Sequence, residues 1–175
     1  MVQIKGKQFI PFISEKELLQ RVSELGQQIT ADYKGTSPVM IGILNGAFMF
    51  LSDLSKHIDL SVEISFIKVS SYVSMSSTGK VRSLLGLEKD IMDRDVIIVE
   101  DIVDTGLSMA YILERIKEKK PHSIQVVSLL LKPDALSENI TVKYIGFKIP
   151  DKFVIGYGLD YDGYGRNLKE VYQLK

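Results

Sequence analysis

The sequence has 175 residues, a length that fits one domain spanning 1–175 with a core large enough to need no disulfide. Its 22 Lys plus Arg balance 22 Asp plus Glu, and this zero formal charge argues against bulk electrostatic binding to nucleic acid or to a membrane surface. The absence of cysteine excludes thiolate metal sites and a cysteine nucleophile, and with no apolar run near the roughly 18 residues of a spanning helix we expect a cytoplasmic protein.

The first half of the sequence alternates helical and strand patterns. Ser14 and Glu17 have the spacing of a capping box, and apolar residues then recur at helical intervals up to a polar stretch at 34–38. The run 39–44 is continuously apolar and of strand length, 47–58 has a helical pattern, and 62–69 alternates imperfectly as a strand does. The serine-rich segment 70–79 then predicts a mobile loop.

The second half continues this alternation. Strands are predicted at 95–99, 123–131 and 142–147, a helix at about 108–119, and a last short strand at 153–156. Fully apolar strands separated by helices predict the α/β class, with a central parallel β-sheet flanked by helices. Ligands of such sheets bind beyond the carboxyl ends of the strands, so the residues that directly follow each strand are the first candidates for a site.

One segment, 96–108, carries most of the chemistry. Four apolar residues run into three carboxylates, Glu100, Asp101 and Asp104, and a Thr-Gly-Leu-Ser turn then opens a helix. A strand end followed by a helix start brings free backbone N–H groups and the positive end of the helix dipole together, which is a phosphate site. The hydroxyls of Thr105 and Ser108 can donate to the same anion.

The three carboxylates conflict with a phosphate ligand, because like charges at roughly 4–6 Å raise each other's pKa and repel an anion. The conflict disappears if the ligand also presents sugar hydroxyls and binds together with Mg²⁺, which commonly bridges carboxylates and phosphates. The same residues also suit a solvated turn that merely caps a helix, and the residues alone leave this alternative open. The P-loop pattern and a Gly-x-Gly-x-x-Gly after a strand are both missing, which argues against a P-loop ATPase and a dinucleotide enzyme.

Residues 96–106, Val-Ile-Ile-Val-Glu-Asp-Ile-Val-Asp-Thr-Gly, resemble the phosphoribosyl pyrophosphate signature of type I phosphoribosyltransferases. The particular residues of this motif resemble those of the hypoxanthine-guanine branch of the family. The resemblance extends from about residue 39 to the C-terminal region. It implies the type I phosphoribosyltransferase fold, in which a small hood built from the chain termini covers the parallel sheet. It also implies purine salvage, with Mg²⁺ as cofactor, phosphoribosyl pyrophosphate and a purine base as partners, and a homodimer or homotetramer as the assembly.

By this resemblance, the acidic segment and the turn after it hold the sugar phosphate. Glu100 and Asp101 resemble the pair that holds the ribose hydroxyls and organises Mg²⁺, with Asp160 as a further metal contact. Asp104 matches the general base near N7 of the purine. The cradle of the 5′-phosphate matches Asp104, Thr105, Gly106, Leu107 and Ser108.

Other positions match contacts to the purine and to pyrophosphate. Lys132 is similar to the lysine that donates to the 6-oxo group, and Phe153 to the ring stacked on the purine, with the Val154 backbone and Asp160 beside the base. The pyrophosphate contacts match Asn45, Gly46, Ser71, Tyr72 and Arg166.

Several of these positions have a plainer structural alternative. Lys132 could end a strand at the surface, and Phe153 could belong to the core. Asp160 and Arg166 could form only an exposed ion pair, which would contribute little. The residue types alone do not decide between these alternatives and the functional roles.

Two positions depart from the family pattern, and two rival functions stay open. Asn45 stands where relatives often carry Lys or Arg, and Leu107 replaces a polar or basic residue, which leaves that phosphate contact to backbone amides. One rival is a phosphoribosyltransferase for another base such as xanthine. The other is a regulator on the same fold that binds nucleotides or RNA, in which base, lysine or metal contacts would be expected to be lost.

Overall fold

The computed structural model describes residues 1–70, 83–86 and 90–175 of the chain. The loop predicted at 70–79 lies outside these residues except for Ser70, which ends strand β4, and the candidate pyrophosphate contacts Ser71 and Tyr72 lie outside them too. Within them the elements follow in the order β1 (Val2–Ile4), β2 (Lys7–Ile13), α1 (Glu15–Asp32), β3 (Val39–Leu44), α2 (Phe48–Lys56), β4 (Glu63–Ser70), β5 (Ser83–Leu85), β6 (Asp95–Val103), α3 (Leu107–Lys117), β7 (Ser123–Leu131), β8 (Tyr144–Lys148), β9 (Val154–Ile155) and β10 (Val171–Leu174).

The start of α1 confirms the predicted capping box. The Glu17 amide donates to the Ser14 hydroxyl at 3.3 Å, and the Ser14 amide donates to the Glu17 carboxylate at 2.9 Å. Two of the amides that a helix start leaves without a partner are thereby satisfied. The buried face of α1 packs against α2 and the main sheet through Leu18, Val22, Leu25 and Ile29.

The main sheet has the strand order β5–β4–β3–β6–β7–β8. Neighbours from β4 to β8 are parallel, and β5 joins the edge antiparallel, which confirms the predicted parallel sheet. Strands β6 and β7 pair up to Val103↔Leu131, whereas β3 pairs with β6 only as far as Gly42↔Val99. Residues 100–103 therefore continue β6 beyond its pairing with β3.

The central strands are buried on both faces, as strands of a parallel sheet usually are. In β6 the side chains of Ile97 and Val99 join the core under α1 and α2. Val96 and Ile98 join a second core with Ile112 of α3 on the opposite face. The sheet is thus flanked by helices on both sides, and in sheets of this kind ligands bind beyond the carboxyl ends of the strands.

A second sheet, which we call the hood, has the order β1–β2–β10–β9 and is antiparallel throughout. It joins the two chain termini, so the expected hood is confirmed. The strand predicted at 153–156 is β9, but the prediction that it is the last strand is wrong because β10 follows it. Strands β1, β2, β5 and β10 have no sequence-based prediction; three of them have only three or four residues, too few to show a period.

Candidate active site

The turn between β6 and α3 forms an anion-binding corner. Gly106 occupies the N-cap position of α3 with φ +85°, and a Cβ there would lie 2.9 Å from Leu136 Cδ1, so the position demands glycine. Because the N-cap has no side chain, it caps none of the amides of the first turn, and they can bind a ligand, although the Leu107 amide makes a long hydrogen bond of 3.4 Å to the Thr105 hydroxyl. They border a cavity of about 100 Å³ that is lined by Glu100, Ile102, Val103, Asp104, Thr105, Gly106, Ser108 and Met109.

The turn is held in place from outside. The Thr105 carbonyl accepts from the amides of Ser137 at 3.0 Å and Glu138 at 3.3 Å, and the Thr105 hydroxyl lies 3.4 Å from the Leu107 amide. The Leu107 side chain is 56% exposed. A leucine cannot hydrogen-bond an anion, so the backbone amide at this position is the group that can contact a phosphate.

Two neighbouring carboxylates lie directly before this turn. Glu100 is only 8% exposed, and the Asp101 amide donates to its carboxylate at 3.2 Å. Burial raises the pKa of Glu100 well above its ordinary value, and the charge of Asp101 raises it further. Burial also raises the pKa of Asp101, against the hydrogen bonds that its carboxylate makes with Glu100 and with the Ile102 amide. The two carboxylates are therefore the oxygen ligands that this end of the sheet could offer to a cation.

The turn after β3 packs tightly against this pair. A Cβ at Gly46 would overlap the Asp101 carboxylate, and a Cβ at Gly158 would overlap the Gly46 carbonyl. Gly158 has φ +102°, a conformation that favours glycine independently of the space. The peptide between Leu44 and Asn45 is cis, and the Asn45 side chain is exposed. Gly46 therefore packs directly on Asp101, with the exposed Asn45 immediately before it in the turn.

A second cavity, of about 240 Å³, adjoins the acidic segment. Lys132 is its main cation and is 6% exposed, so the alternative of a surface lysine is wrong. Its ammonium donates to Asp104 Oδ2 at 2.7 Å and to Asp151 Oδ1 at 3.0 Å. Burial alone would lower the pKa of Lys132, but these two carboxylates leave it raised above its ordinary value. The full lining is Asp101, Ile102, Asp104, Lys132, Phe153, Val154, Leu159 and Asp160.

The aromatic wall of this cavity is Phe153, whose side chain is 47% exposed, so it does not belong to the core. Tyr161 meets it edge-on, with ring centroids 5.7 Å apart and an interplanar angle of 85°. Phe9 of the hood lies 6.4 Å from the Phe153 centroid and 6.2 Å from that of Tyr161. The neighbouring Val154 is buried, so the exposed ring is a flat apolar surface held by two others.

Asp160 and Arg166 form the ion pair that the sequence leaves open, at 2.6 Å, with each side chain 28% exposed. Arg166 also donates to the Gly158 carbonyl at 2.6 Å, and the Gly163 amide donates to Asp160 at 2.6 Å. The pair is thus partly buried and fixed to the backbone of its own loop. In residues 1–70, 83–86 and 90–175, no three Asp, Glu, His or Cys side chains cluster as a metal site would require by themselves.

The structure brings most of the candidate residues to one edge of the sheet. One or other of the two cavities is lined by the candidates at 100–108, apart from Leu107 at the helix start, and by Lys132, Phe153, Val154 and Asp160. Three further candidates lie beside the cavities: Asn45, Gly46 and Arg166. Asp151, Phe9 and Tyr161 have no sequence-based prediction. Asp151 lies two residues before Phe153, and nothing in the sequence distinguishes it from other exposed acids.

Known proteins share both the sequence and the architecture. Residues 13–162 match the family described as phosphoribosyl transferase domain. The chain is 43% identical over 164 residues to the hypoxanthine-guanine phosphoribosyltransferase of Bacillus subtilis (strain 168), which covers 93% of this chain and 91% of that relative.

Two solved structures have the same fold. A hypoxanthine-guanine phosphoribosyltransferase from Bacillus anthracis, with a HEPES molecule in its active site, gives a TM-score of 0.89 at 39% identity, over 95% of this chain and 98% of that one. The hypoxanthine phosphoribosyl transferase of Trypanosoma cruzi gives a TM-score of 0.89 at 35% identity, over 100% of this chain and 95% of that one. In the part of the chain that the structure describes, no helix has the length and apolarity to cross a membrane.

Proposed function

This chain belongs to the phosphoribosyltransferase family, and on that premise we propose that it is a purine salvage enzyme that acts on hypoxanthine and guanine. It transfers the 5-phosphoribosyl group of phosphoribosyl pyrophosphate to N9 of the base. The observation that carries the proposal is the 240 Å³ cavity, where a buried ammonium (Lys132), a carboxylate (Asp104) and an exposed ring (Phe153) converge beside the anion-binding corner. An oxo-purine needs these three groups: a donor, an acceptor and a flat apolar surface.

In this reaction the bond between C1 of the ribose and the pyrophosphate oxygen breaks, and a bond between C1 and N9 of the purine forms. Positive charge develops on the sugar and negative charge on the leaving group, so positioning and electrostatic stabilisation are the main tasks of the protein. The amides and hydroxyls at 105–108 hold the 5′-phosphate. Asp104 accepts the N7 proton as N9 attacks, and Arg166, with the turn at Asn45 and Gly46, binds the departing pyrophosphate.

The residues of the acidic segment fit a magnesium ion. Glu100 and Asp101 are adjacent carboxylates whose pKa values are raised by burial, and for Glu100 also by the charge of Asp101. Mg²⁺ usually takes one or two carboxylates together with substrate phosphates, so a complete protein cage is not needed. Glu100, Asp101 and Asp160 would hold the ion and the ribose hydroxyls. The bound ion would supply Lewis-acid stabilisation of the leaving group.

The direct test of the proposed function is an assay of the purified protein. We expect nucleotide formation, followed by ultraviolet absorbance, from phosphoribosyl pyrophosphate, Mg²⁺ and hypoxanthine or guanine, and no product with adenine. Xanthine should be tested as the fourth base, because Lys132 favours a 6-oxo group but does not decide which oxo-purine is preferred. If no oxo-purine yields a nucleotide, the chain is instead a nucleotide-binding regulator on the same fold.

We expect Lys132→Ala to weaken the discrimination between 6-oxo and 6-amino purines. A hydrogen bond from a charged donor contributes about 1.5–3 kcal/mol, so kcat/KM for hypoxanthine should fall by about 10- to 150-fold, while the already low value for adenine should change little. Steady-state kinetics with both bases measure this ratio. Lys152→Ala, which removes an exposed lysine near the same cavity, is the matched control. An unchanged ratio in Lys132→Ala would remove this lysine from base recognition.

We also expect activity to depend on Mg²⁺ through Asp101. Chelation should abolish nucleotide formation, and added Mg²⁺ should restore it. Asp101→Asn should raise the Mg²⁺ concentration needed for half-maximal rate by about 10–100-fold, the usual cost of losing a carboxylate around a metal. Asp134→Asn, an exposed acid in the turn after β7, should leave it unchanged. Identical Mg²⁺ titrations of wild type and Asp101→Asn would contradict the metal role.

We propose in addition a single-domain subunit that assembles as a homodimer or homotetramer. The Trypanosoma cruzi relative was solved in a study of its oligomeric state. Phe48 of α2 and Phe66 of β4 each remain 43% exposed and flank the same part of the fold, since Phe66 and Leu51 of α2 both lie near Gly42. Exposed apolar residues of this kind often mark an interface. Light scattering after gel filtration gives the mass.

The proposed location is the cytoplasm. The donor carries several phosphate charges, and transfer of an unpaired charge into an apolar layer is very costly. The enzyme should therefore work in the compartment where the donor is made. Fractionation of cells, with the chain followed by antibody, tests this point.

A further inference from the structure

The ends of three neighbouring parallel strands meet at the Lys132 ammonium. Asp104 follows β6, Lys132 follows β7, and Asp151 lies three residues beyond the end of β8. Backbone hydrogen bonds hold these ends together, since the Lys132 amide donates to Val103 O at 3.0 Å and the Ile149 amide donates to Leu131 O at 2.9 Å. The geometry of the cluster is therefore set by the sheet and not by flexible loops.

The ammonium has three N–H groups, and two of them are used by carboxylates. Asp104 Oδ2 accepts at 2.7 Å and Asp151 Oδ1 at 3.0 Å, which leaves one donor for a ligand in the 240 Å³ cavity. The two carboxylates differ in surroundings. Asp104 lines the cavity, whereas Asp151 is absent from its lining and its side chain is 67% exposed.

The Asp104 carboxylate cannot accept a hydrogen bond from Lys132 and the N7 proton of the purine equally well. In the proposed reaction this carboxylate receives a proton from N7, but Asp104 Oδ2 already accepts a hydrogen bond from the Lys132 ammonium at 2.7 Å. When the base is bound, the third N–H group of Lys132 serves the purine oxygen, while the N7 proton competes with Lys132 for the Asp104 carboxylate. A nearly buried ammonium that loses its carboxylate partner pays a large desolvation cost. A second carboxylate that stays in place removes this cost.

We propose that Asp151 is a positioning residue that keeps the Lys132 ammonium paired at the edge of the 240 Å³ cavity while the Asp104 carboxylate is released to the purine. Asp151 does not touch the substrate; it acts through Lys132. The role rests on the proposed function, because it assigns Lys132 to the base. This role explains why two carboxylates contact the Lys132 ammonium, although one would be enough to neutralise its charge.

The test is a double-mutant cycle in the full chain, with Asp151→Asn, Asp151→Glu, Lys132→Ala and the double variant. We expect Asp151→Asn to lower kcat/KM for hypoxanthine by about 10–100-fold, the cost usual for the loss of a carboxylate that orients a functional group, with an unchanged KM for phosphoribosyl pyrophosphate. Asp151→Glu should recover most of the loss. On the Lys132→Ala background, Asp151→Asn should have no further effect, because the two residues act as one unit.

The controls separate the possible failures. Asp134→Asn removes an exposed charge two residues from Lys132 and should behave as wild type. An inactive wild type would overturn the proposed function and the role of Asp151 with it. An active wild type with equal losses for both substrates in Asp151→Asn, or with additive losses in the cycle, would overturn the positioning role alone. Thermal melting of each variant confirms that the exposed substitution leaves the fold intact.

Discussion

Replacement of Asp104 by asparagine should lower kcat by about 10²–10⁴-fold, the contribution typical of a positioned general base. Asparagine keeps the size and the hydrogen-bonding shape of the side chain but cannot accept the N7 proton. Binding of phosphoribosyl pyrophosphate with Mg²⁺ should change only a few-fold, because the amides of the α3 start, and not this carboxylate, hold the phosphate. Single-turnover rates and calorimetric titration of the donor measure the two effects separately.

The identity of the substrate sharpens this test. A purine analogue whose N7 proton is more acidic needs less help from a base, so its rate should fall less in Asp104→Asn than that of hypoxanthine. A loss of pairing with Lys132 would instead affect both bases alike. Asp134→Asn controls for the change in net charge. Wild-type turnover in Asp104→Asn would show that another group takes the proton.

Gly46→Ala should be nearly as damaging, although it adds only one methyl group. The new Cβ would overlap the Asp101 carboxylate, far inside the contact distance of about 3.5 Å, and neither backbone can withdraw easily because Gly158 packs on the Gly46 carbonyl. A displacement of about 1 Å at a reacting group costs about 10²-fold in rate. We expect a loss of at least this size in kcat/KM for phosphoribosyl pyrophosphate.

The measurement combines donor kinetics with thermal melting, since overpacking also destabilises by about 1–3 kcal/mol. Gly35→Ala is the control: its φ of +83° makes alanine strained, but an added Cβ meets no atom within 4 Å. It should cost about 1–2 kcal/mol of stability and no catalytic rate. Wild-type kinetics in Gly46→Ala would show that the turn after β3 does not confine Asp101 in solution.

Local patterns were sufficient to predict the five parallel strands of the main sheet, although not its edge strand β5. The apolar runs at 39–44 and 95–99 are buried on both faces, β4 leaves Ile64 and Phe66 exposed, and the helices have either a capping box or an amphipathic face. These signals depend only on neighbours in the sequence. The hood could not be predicted element by element, because β2 contains Pro11 and its partner β10 lies at the other end of the chain.

The candidate site divides in the same way. The acids and the turn at 100–108 are contiguous, so the order of strand, acids and helix start is visible in the sequence. The pairing of Lys132 with Asp104 and Asp151 spans 28 and 19 positions and depends on which strands become neighbours. No residue type in the sequence predicts it. The ring contacts of Phe153 with Phe9 and Tyr161 are likewise a product of the hood.

The place of β10 in the hood has a consequence for biosynthesis. Strand β10 lies between β2 and β9 and pairs with both of them. Strands β2 and β9 are therefore not hydrogen-bonded to each other, and only β10, the last strand to be made, joins them into one sheet. The core under α1 and α2 contains Val154, Tyr157, Leu159 and Val171, so this face of the parallel sheet is not fully covered until the last strand has been translated. Val171–Leu174 must also emerge before β9, and with it the wall that carries Phe153, gains its hydrogen-bonded neighbour.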